Sequence, residues 1–289
     1  MRELTLKRKE NFDSSVLQYK SVLESDYSIF IDEDTIIRDS ESGEIVVVYL
    51  KLTDDLSELR NSVVNLKYAK GRRTAGLKTQ DKVFGYMQRL GVANDYCSTA
   101  VFAKSNPKEH NIVCEFGSTL SKLYEKYVPE VYKKHQQIVF DRVKPQWIIK
   151  DSVFTSGIIN KNNQLNYHFD RGNFKNVYSN MIAFKKDMMG GHLSIPEYDL
   201  GLKISDSSVT LFDGQKILHG VTPLKFLSEK SYRYTLVYYS LEQMWKCETP
   251  QEELLRVKKL KTESARKRIR HMNGNFTDDE MNKFKKVIK

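Results

Sequence analysis

The chain has 289 residues, of which 40% are hydrophobic, so it is long enough to bury one substantial core and to carry a further subdomain. Its formal net charge is +10, no apolar run approaches the length of a membrane span, and residues 1–7 lack the apolar core of a signal peptide. These features argue against a membrane or secreted protein, and we expect an intracellular one, in the cytoplasm or the nucleus.

The three cysteines, Cys97, Cys114 and Cys247, are odd in number and widely spaced. Such spacing indicates neither a disulfide framework nor a zinc knuckle. We therefore predict three reduced thiols.

Residues 1–80 mix short β-like runs with polar segments, and the clearest of these runs is 44–50, EIVVVYL. A glycine-flanked basic loop follows at residues 70–76, KGRRTAG. The loop lacks the GxxxxGK[ST] order of a phosphate-binding P-loop. Arg72 and Arg73 are candidates for phosphate contacts in a nucleic acid, although a solvated turn explains the loop equally well.

The next elements are a helix and then a series of strands. Apolar residues recur at helical spacing, and Ser118 or Thr119 can cap the helix that they predict. The stripe, which we expect to be buried, consists of Leu120, Leu123, Tyr124, Tyr127, Val128 and Val131. From about Gln136, short runs rich in Val, Ile, Phe and Tyr alternate with turn residues, a pattern typical of a jelly roll.

His168, Asp170 and His219 are the candidate metal ligands. In a strand His168 and Asp170 would point to the same face, because successive side chains alternate. Two imidazoles and one carboxylate can occupy one face of an octahedral ion, as in non-haem Fe(II) oxygenases. An HxD pair alone is more often a pair of surface residues. Arg233 and Thr235 would share one face of a later strand, where a guanidinium beside a hydroxyl can bind a carboxylate.

Four blocks of the chain resemble the oxygenase core of the TET/JBP family of DNA dioxygenases. They are residues 166–174 (NYHFDRGNF), 190–197 (GGHLSIPE), 209–214 (VTLFDG) leading to His219, and 233–239 (RYTLVYY). The resemblance covers about residues 120–245. It implies an α+β fold with a double-stranded β-helix (jelly-roll, cupin-like) oxygenase core and supporting helices.

The resemblance also implies an enzyme that uses Fe(II), O₂ and 2-oxoglutarate to hydroxylate the 5-methyl group of a pyrimidine in DNA, with release of succinate and CO₂. His168, Asp170 and His219 match the iron ligands, and Arg233 matches the arginine that holds 2-oxoglutarate, with Thr235 beside it. A methyl group inside a duplex cannot enter such a pocket, so the base would be flipped out.

The resemblance leaves the choice between 5-methylcytosine and thymine open. Asn173 stands where many members have an acidic residue near the base, and an amide donates as well as accepts hydrogen bonds. Asn173, Arg171 and Tyr167 are the candidates for contacts with the base. His192 we interpret as a structural strand histidine.

The positive charge is concentrated at the end of the chain. Residues 254–289 contain 12 Lys and Arg against 4 Asp and Glu, a net of +8. A concentrated basic segment suits a polyanion, because each neutralised phosphate releases counterions. Arg266, Lys267, Arg268 and Arg270 are therefore candidates for DNA-phosphate contacts, and a solvated charged helix is the alternative.

The pattern after Leu241 is helical again, and Thr277 with Glu280 has the spacing of a capping box for a last helix. We therefore predict an α/β extension packed on the core at residues 1–80, the oxygenase core at 81–245 and a basic helical segment at 246–289. Two alternatives to a DNA dioxygenase remain. One is a 2-oxoglutarate oxygenase that acts on a protein side chain or a small metabolite, and the other is a DNA-binding module without activity.

Overall fold

The structure, a computed structural model, describes residues 1–72, 78–89, 96–273 and 277. Within these residues the chain forms a mixed α+β fold. Its strands are β1 (Arg2–Leu6), β2 (Ile29–Ile31), β3 (Thr35–Asp39), β4 (Ile45–Lys51), β5 (Ala69–Arg72), β6 (Lys78–Arg89), β7 (Tyr96–Thr99), β8 (Ser156–Lys161), β9 (Ser179–Lys186), β10 (Met188–Gly190), β11 (Leu193–Ile195), β12 (Leu200–Leu202), β13 (Ser208–Phe212), β14 (Gly220–Val221), β15 (Leu224–Phe226) and β16 (Tyr232–Tyr239). Its helices are α1 (Ser14–Leu17), α2 (Ser57–Val64), α3 (Val101–Ser105), α4 (Pro107–Tyr127), α5 (Pro129–Arg142) and α6 (Pro250–Met272).

Most strands belong to one large sheet with the order β1-β3-β4-β13-β9-β16-β8-β6-β5, and β7 pairs with β6. A four-stranded sheet has the order β14-β11-β12-β2, and β10 pairs with β15. The central pairs β13–β9, β16–β9 and β16–β8 are antiparallel.

Alternate residues of the large sheet enter two different cores, as strand geometry requires. Val48 and Leu50 pack in a core that also contains Leu120 and Tyr124 of α4. Val47 and Tyr49, on the opposite face, pack with residues of the four-stranded sheet such as Leu193, Ile195, Leu200 and Leu202. The large sheet is therefore covered by helices on one face and by the second sheet on the other.

The predicted helix is present, but its bounds differ from the expectation. The apolar stripe lies in the helix-side core, as predicted. However, α4 begins at Pro107, so Ser118 and Thr119 lie inside the helix and do not cap it. The stripe is divided at Val128, because Pro129 begins α5 and a proline cannot continue the hydrogen-bonding of the preceding helix. The strands predicted to follow the helix from about Gln136 begin only at Ser156, with β8, because α5 occupies Pro129–Arg142.

Residues 1–80 contribute directly to both sheets. The predicted strand at 44–50 is present as β4, which pairs with β13, while β1 and β3 extend the same sheet. β2 pairs with β12 in the four-stranded sheet. The segment that the sequence presents as an extension packed on the core therefore supplies part of the core's backbone pairing.

The chain divides into two compact units, one formed by Met1–Met87 and Thr99–Trp245, and the other by Gln88–Ser98 and Lys246–Lys289. The second unit contains a disulfide between Cys97 and Cys247, so the prediction of three reduced thiols is wrong for these two residues. They are 150 residues apart, and their pairing follows from the fold rather than from local spacing. Cys114 is a free, half-buried thiol, as predicted.

A buried carboxylate reinforces the same connection. Glu253, which is 2% exposed, accepts hydrogen bonds from the backbone N–H groups of Cys97 and Glu248, both at 2.9 Å. Thr249 and Glu252 form the capping box that starts α6. The chain just before α6 is therefore joined to β7 by the Cys97–Cys247 disulfide, and Glu253 in the first turn of α6 accepts a further hydrogen bond from β7.

We expect Cys97→Ala to lower the free energy of unfolding by about 2–5 kcal/mol, because the crosslink restricts the unfolded chain. Reduction should lower the stability of the wild-type protein by a similar amount and leave Cys97→Ala unchanged. Urea denaturation with and without a reductant measures both effects, and Cys114→Ala is the control for the loss of a thiol. If the urea midpoint of the wild-type protein were the same with and without the reductant, the result would contradict the disulfide.

At the end of the chain, α6 confirms the helical pattern after Leu241, and its last residue is Met272. The helix predicted from the Thr277–Glu280 spacing lies outside the described residues, apart from Thr277. Among the described helices, none combines the length and the apolar character needed to cross a membrane.

Candidate active site

His168 and His219 are brought together by backbone pairing. They form an isolated antiparallel bridge, in which each residue's N–H donates to the other's carbonyl at 2.9 and 3.1 Å. The N–H of Asp170 donates to the carbonyl of Gly214 at 2.8 Å. The predicted strand around His168 is thus only a bridge, but the extended chain still places His168 and Asp170 at the same site.

The three predicted ligands converge. Nε2 of His168 lies 3.8 Å from Oδ1 of Asp170, and Nε2 of His219 lies 3.9 Å from the same oxygen. One donor atom from each residue lies within 4.8 Å of the others. Within the described part of the chain, this is the one group of three or more His, Cys, Asp or Glu side chains with such a spacing.

The hydrogen bonds of both imidazoles fit metal binding. Nδ1 of His168 lies 2.8 Å from the carbonyl of Asn166, and Nδ1 of His219 lies 3.0 Å from the carbonyl of Ile217. A carbonyl only accepts, so Nδ1 carries the proton and Nε2 keeps a lone pair for the metal. Burial and the neighbouring His168 lower the pKa of His219 to about 4, which keeps this imidazole neutral, as a metal ligand must be.

Gly214 makes room for the carboxylate. A Cβ at this position would lie 2.3 Å from Oδ2 of Asp170 and 3.3 Å from Cε1 of His219. Any side chain there would displace a candidate ligand. The conformation of the Asp213–Gly214 turn therefore helps to form the candidate metal site.

Arg233 and Thr235 lie on the same face of β16, as predicted, and both are buried. Nε of Arg233 has no hydrogen-bond partner among the described residues, although the side chain is only 2% exposed. Burial lowers its pKa to about 10, so the guanidinium remains charged at neutral pH. A buried cation with an unpaired donor is a good receptor for an anion such as a carboxylate. Oγ1 of Thr235 accepts from Asn160 Nδ2 at 3.4 Å.

The surroundings of Arg233 are strongly basic. Burial and the Arg233 charge lower the pKa of Lys185 to about 8, and burial with Lys185 and Arg233 lowers that of His192 to about 4. His192 contacts the ring of Phe30 edge to face and lies just before β11, so the expected position within a strand is wrong by one residue. Gly191 has a φ of +68°, and a Cβ there would lie 2.9 Å from Cδ of Arg233. The absence of a side chain at Gly191 thus leaves space for the aliphatic part of the Arg233 side chain.

The candidate metal ligands and Arg233 open into one cavity of about 470 Å³, a size suited to a small ligand together with part of a substrate. The cavity lies between the two sheets. Its lining comes from the large sheet, the smaller sheet, the segment 163–173 and an N-terminal segment: Gln18, Tyr19, Ile158, Asn160, Asn163, Leu165, Asn166, Tyr167, His168, Phe169, Asp170, Arg171, Asn173, Ser179, Met181, Leu193, Phe212, His219, Val221, Arg233, Thr235, Val237, Tyr239 and Leu241.

The three candidate base contacts differ in their surroundings. Asn173 is 8% exposed, lines the cavity and donates from Nδ2 to Ser179 Oγ at 3.2 Å. Arg171 is exposed at the cavity. Tyr167 is fully buried, and its hydroxyl is bonded to Asp26 at 2.9 Å and to Ser194 at 2.7 Å. Tyr167 is therefore the weakest of the three candidates, because its polar atom is already engaged inside the protein.

The candidate phosphate contacts belong to other elements. Arg266, Lys267 and Arg268 are exposed on α6, in the second unit, and Arg270 follows in the same helix. The backbone of Arg72 ends β5, and the rest of the predicted basic loop, including Arg73, lies outside the described residues.

The cavity also contains polar residues that the sequence reasoning missed. Asn160 and Asn163 are buried, and Nδ2 of Asn163 donates to Oδ1 of Asn160 at 3.1 Å. Asn160 pairs with Thr235 across β8 and β16, so strand alternation could have indicated its inward direction once the register was known. No sequence pattern indicated Tyr19, because it lies outside the strands and its position at the cavity depends on long-range contacts.

Comparisons with known proteins identify the class of this fold and site. Residues 82–242 match the model of the Tet_JBP family, described as the oxygenase domain of the 2OGFeDO superfamily. The match spans more than half of the chain. The protein is an Fe(II)- and 2-oxoglutarate-dependent oxygenase, and it belongs to the Tet_JBP family.

Individual relatives are distant. The chain is 24% identical over 284 residues to the bifunctional helicase and thymine dioxygenase JBP2 of Trypanosoma cruzi (strain CL Brener). That alignment covers 94% of this chain but 25% of the relative, so the chain spans about a quarter of its length. A structure of NgTET1 in complex with 5mC DNA superimposes with a TM-score of 0.58 and 13% identity, covering 83% of this chain and 90% of that one.

A 2OG-Fe(II) oxygenase of Burkholderia pseudomallei gives a TM-score of 0.43 and 11% identity, covering 73% of this chain and 94% of that one. The predicted α+β fold with a double-stranded β-helix is confirmed by the NgTET1 superposition and the family match. The family also establishes the enzyme class and the two cofactors, and it excludes the alternative of a module without activity.

Proposed function

We propose that this enzyme hydroxylates the 5-methyl group of a pyrimidine in DNA, with His168, Asp170 and His219 as the iron ligands and Arg233 as the 2-oxoglutarate receptor. One observation carries the proposal: the three converging donors and the buried guanidinium of Arg233, whose Nε has no partner in the described part of the chain, open into the same cavity. The thymine dioxygenase name of one relative and the 5mC DNA bound by NgTET1 support DNA as the substrate.

The protein's part in the reaction is to bind and orient. When bound, iron and 2-oxoglutarate would activate O₂, the oxidant that hydroxylates an unactivated methyl group, and 2-oxoglutarate would leave as succinate and CO₂. Arg233 and Thr235 hold the distal carboxylate of 2-oxoglutarate, and the two Nδ1–H···O=C hydrogen bonds keep the imidazoles aligned. The apolar lining, which includes Met181, excludes water from the site.

The substrate base must leave the duplex to reach this cavity, at a cost of a few kcal/mol. Asn173 lies at the cavity wall, where its amide can contact the polar edge of a flipped pyrimidine. Cytosine and thymine differ in donor and acceptor pattern at this edge. An amide can satisfy either one by rotation, so both bases are candidate substrates.

Mass spectrometry of nucleosides tests the proposal. Duplexes with 5-methylcytosine and duplexes with thymine as the sole 5-methylpyrimidine are incubated with enzyme, Fe(II) and 2-oxoglutarate, and His219→Ala serves as the inactive control. We expect 5-hydroxymethylcytosine or 5-hydroxymethyluracil from the wild-type enzyme alone. Succinate formation with no oxidised nucleoside from either duplex would instead indicate a protein or metabolite substrate.

The basic helix α6 is proposed to bind DNA phosphates through Arg266, Lys267, Arg268 and Arg270. Replacing all four with Gln should weaken DNA binding for every sequence alike. The slope of log K against log salt concentration should become shallower by about 0.9 for each phosphate that the variant no longer neutralises. Base preference should survive, because phosphate contacts position the strand and do not read it.

The matched control replaces four exposed lysines of α4 and α5, which are Lys122, Lys126, Lys133 and Lys134. Both proteins lose the same formal charge, so a general electrostatic effect would change both slopes equally. DNA titrations at several salt concentrations measure the slopes. An unchanged slope in the α6 variant would mean that this part of the helix is solvated and makes no phosphate contact.

A further inference from the structure

Tyr19 has an unusual backbone conformation at the mouth of the cavity. Its φ is +69°, in the left-handed region that a bulky L-residue rarely adopts. The residue follows α1 and lines the cavity together with Gln18. A strained residue at a ligand site persists only where the surrounding structure holds it in place.

Four hydrogen bonds hold this conformation. The N–H of Tyr19 donates to the carbonyl of Tyr167 at 2.7 Å, and its carbonyl accepts from Nδ2 of Asn166 at 2.7 Å. The N–H of Tyr167 donates to the carbonyl of Lys20 at 3.0 Å. At the far end of the side chain, Nη2 of Arg171 donates to the Tyr19 hydroxyl at 2.8 Å. The backbone of Tyr19 is thus fixed directly beside the segment that carries His168 and Asp170.

These bonds present the ring to solvent and do not bury it. The Tyr19 side chain is 43% exposed, and it stacks on no other aromatic ring among the described residues. It is also absent from the small core of Val22, Tyr167 and Leu218 just beneath it. Packing therefore does not explain why the chain maintains a strained aromatic residue here.

We propose that Tyr19 is a stacking platform for a base of the substrate strand, and that Arg171 binds the adjoining phosphate. This assignment rests on the proposed function and extends it to an N-terminal residue. An exposed aromatic ring stacks on any base, because every base has a π-face. Arg171 has five N–H donors and gives one to Tyr19, and its charge suits a phosphate oxygen. The pair thus offers an aromatic face and a cation beside the opening through which a flipped base enters.

The test compares Tyr19→Leu, which removes the ring, with Tyr19→Phe, which removes only the hydroxyl. Both substitutions keep a bulky side chain at the same φ, so the backbone strain is matched. We expect Tyr19→Leu to raise the KM for a methylated oligonucleotide roughly 10- to 100-fold, the range expected when one base–aromatic stack is removed. The kcat at saturating DNA should stay within about threefold. Tyr19→Phe should keep the KM within about threefold, and Phe140→Leu, at a ring that is 82% exposed outside the cavity, is the control.

Each alternative result has a separate meaning. An unchanged KM in Tyr19→Leu, with a wild-type enzyme that oxidises DNA, would overturn the stacking role alone. A fall in kcat and melting temperature in Tyr19→Leu at unchanged KM would make Tyr19 a structural support and would also overturn the proposal. A wild-type enzyme that forms succinate but leaves every methylated oligonucleotide unoxidised would overturn the proposed substrate, and the role of Tyr19 with it.

Discussion

Asp170→Ala is expected to reduce succinate formation by more than about 100-fold while the protein remains folded. Removing a residue that only hydrogen-bonds to a metal ligand lowers metal affinity or activity about 10- to 100-fold. Asp170 is proposed to be a ligand itself, so its loss should cost more. Its oxygen is also the atom that Nε2 of both His168 and His219 approach, at 3.8 and 3.9 Å. Without this carboxylate, two neutral imidazoles remain, and they hold Fe(II) weakly.

His168→Ala should have the same effect. Asp54→Ala, which removes an exposed aspartate well before the site residues in the sequence, should have none. Circular dichroism spectra and iron content per protein separate loss of the metal from loss of the fold. We expect native spectra with little iron for both ligand variants. Full succinate formation by either variant would refute the assignment of the three ligands.

Arg233→Ala is expected to raise the KM for 2-oxoglutarate by roughly 30-fold or more, because truncating one partner of a buried ion pair costs about 2–5 kcal/mol. Iron binding should survive, because Arg233 is not a candidate ligand. Arg233→Lys should restore only part of the affinity, since an ammonium cannot make the bidentate contact of a guanidinium.

The stability of Arg233→Ala without 2-oxoglutarate separates binding from structure. Arg233 is a buried cation whose Nε has no partner among the described residues. Its removal should therefore leave the unliganded protein as stable as before or more stable, since an unpaired buried charge is unfavourable. Arg60→Ala is the matched control, because Arg60 pairs with Asp206 at 2.9 Å. Normal 2-oxoglutarate affinity in Arg233→Ala would remove Arg233 from its proposed role.

The sequence predicts the residues of the site better than it predicts the path of the chain. Strand alternation is local, so it could pair His168 with Asp170 and Arg233 with Thr235, whereas His219 joined the candidate ligands through the family resemblance. Their convergence depends on a long-range bridge between residues 168 and 219, which no local pattern contains. The same reasoning missed Asn160, whose direction depends on its register with Thr235.

The errors also have physical causes. Helix periodicity locates the buried stripe, but it gives no sign that α4 begins at Pro107. The pairing of strands in residues 1–80 with both sheets also could not be predicted, because a strand's partners cannot be inferred from its own residues. The Cys97–Cys247 pairing escapes prediction for the same reason, since it joins positions that only the folded chain brings together. Tyr19 shows this most clearly, because its segment reaches the cavity through hydrogen bonds to residues 166 and 167.

One labelling measurement tests most directly whether this site oxidises a methyl group in DNA. The enzyme is incubated under ¹⁸O₂ with Fe(II), 2-oxoglutarate and a methylated duplex, and both succinate and hydroxymethylated nucleoside are quantified by mass spectrometry. We expect one labelled hydroxymethyl group for each DNA-dependent succinate, and neither product from Asp170→Ala. Succinate formation that does not respond to DNA, with no ¹⁸O in any nucleoside, would contradict the proposed function.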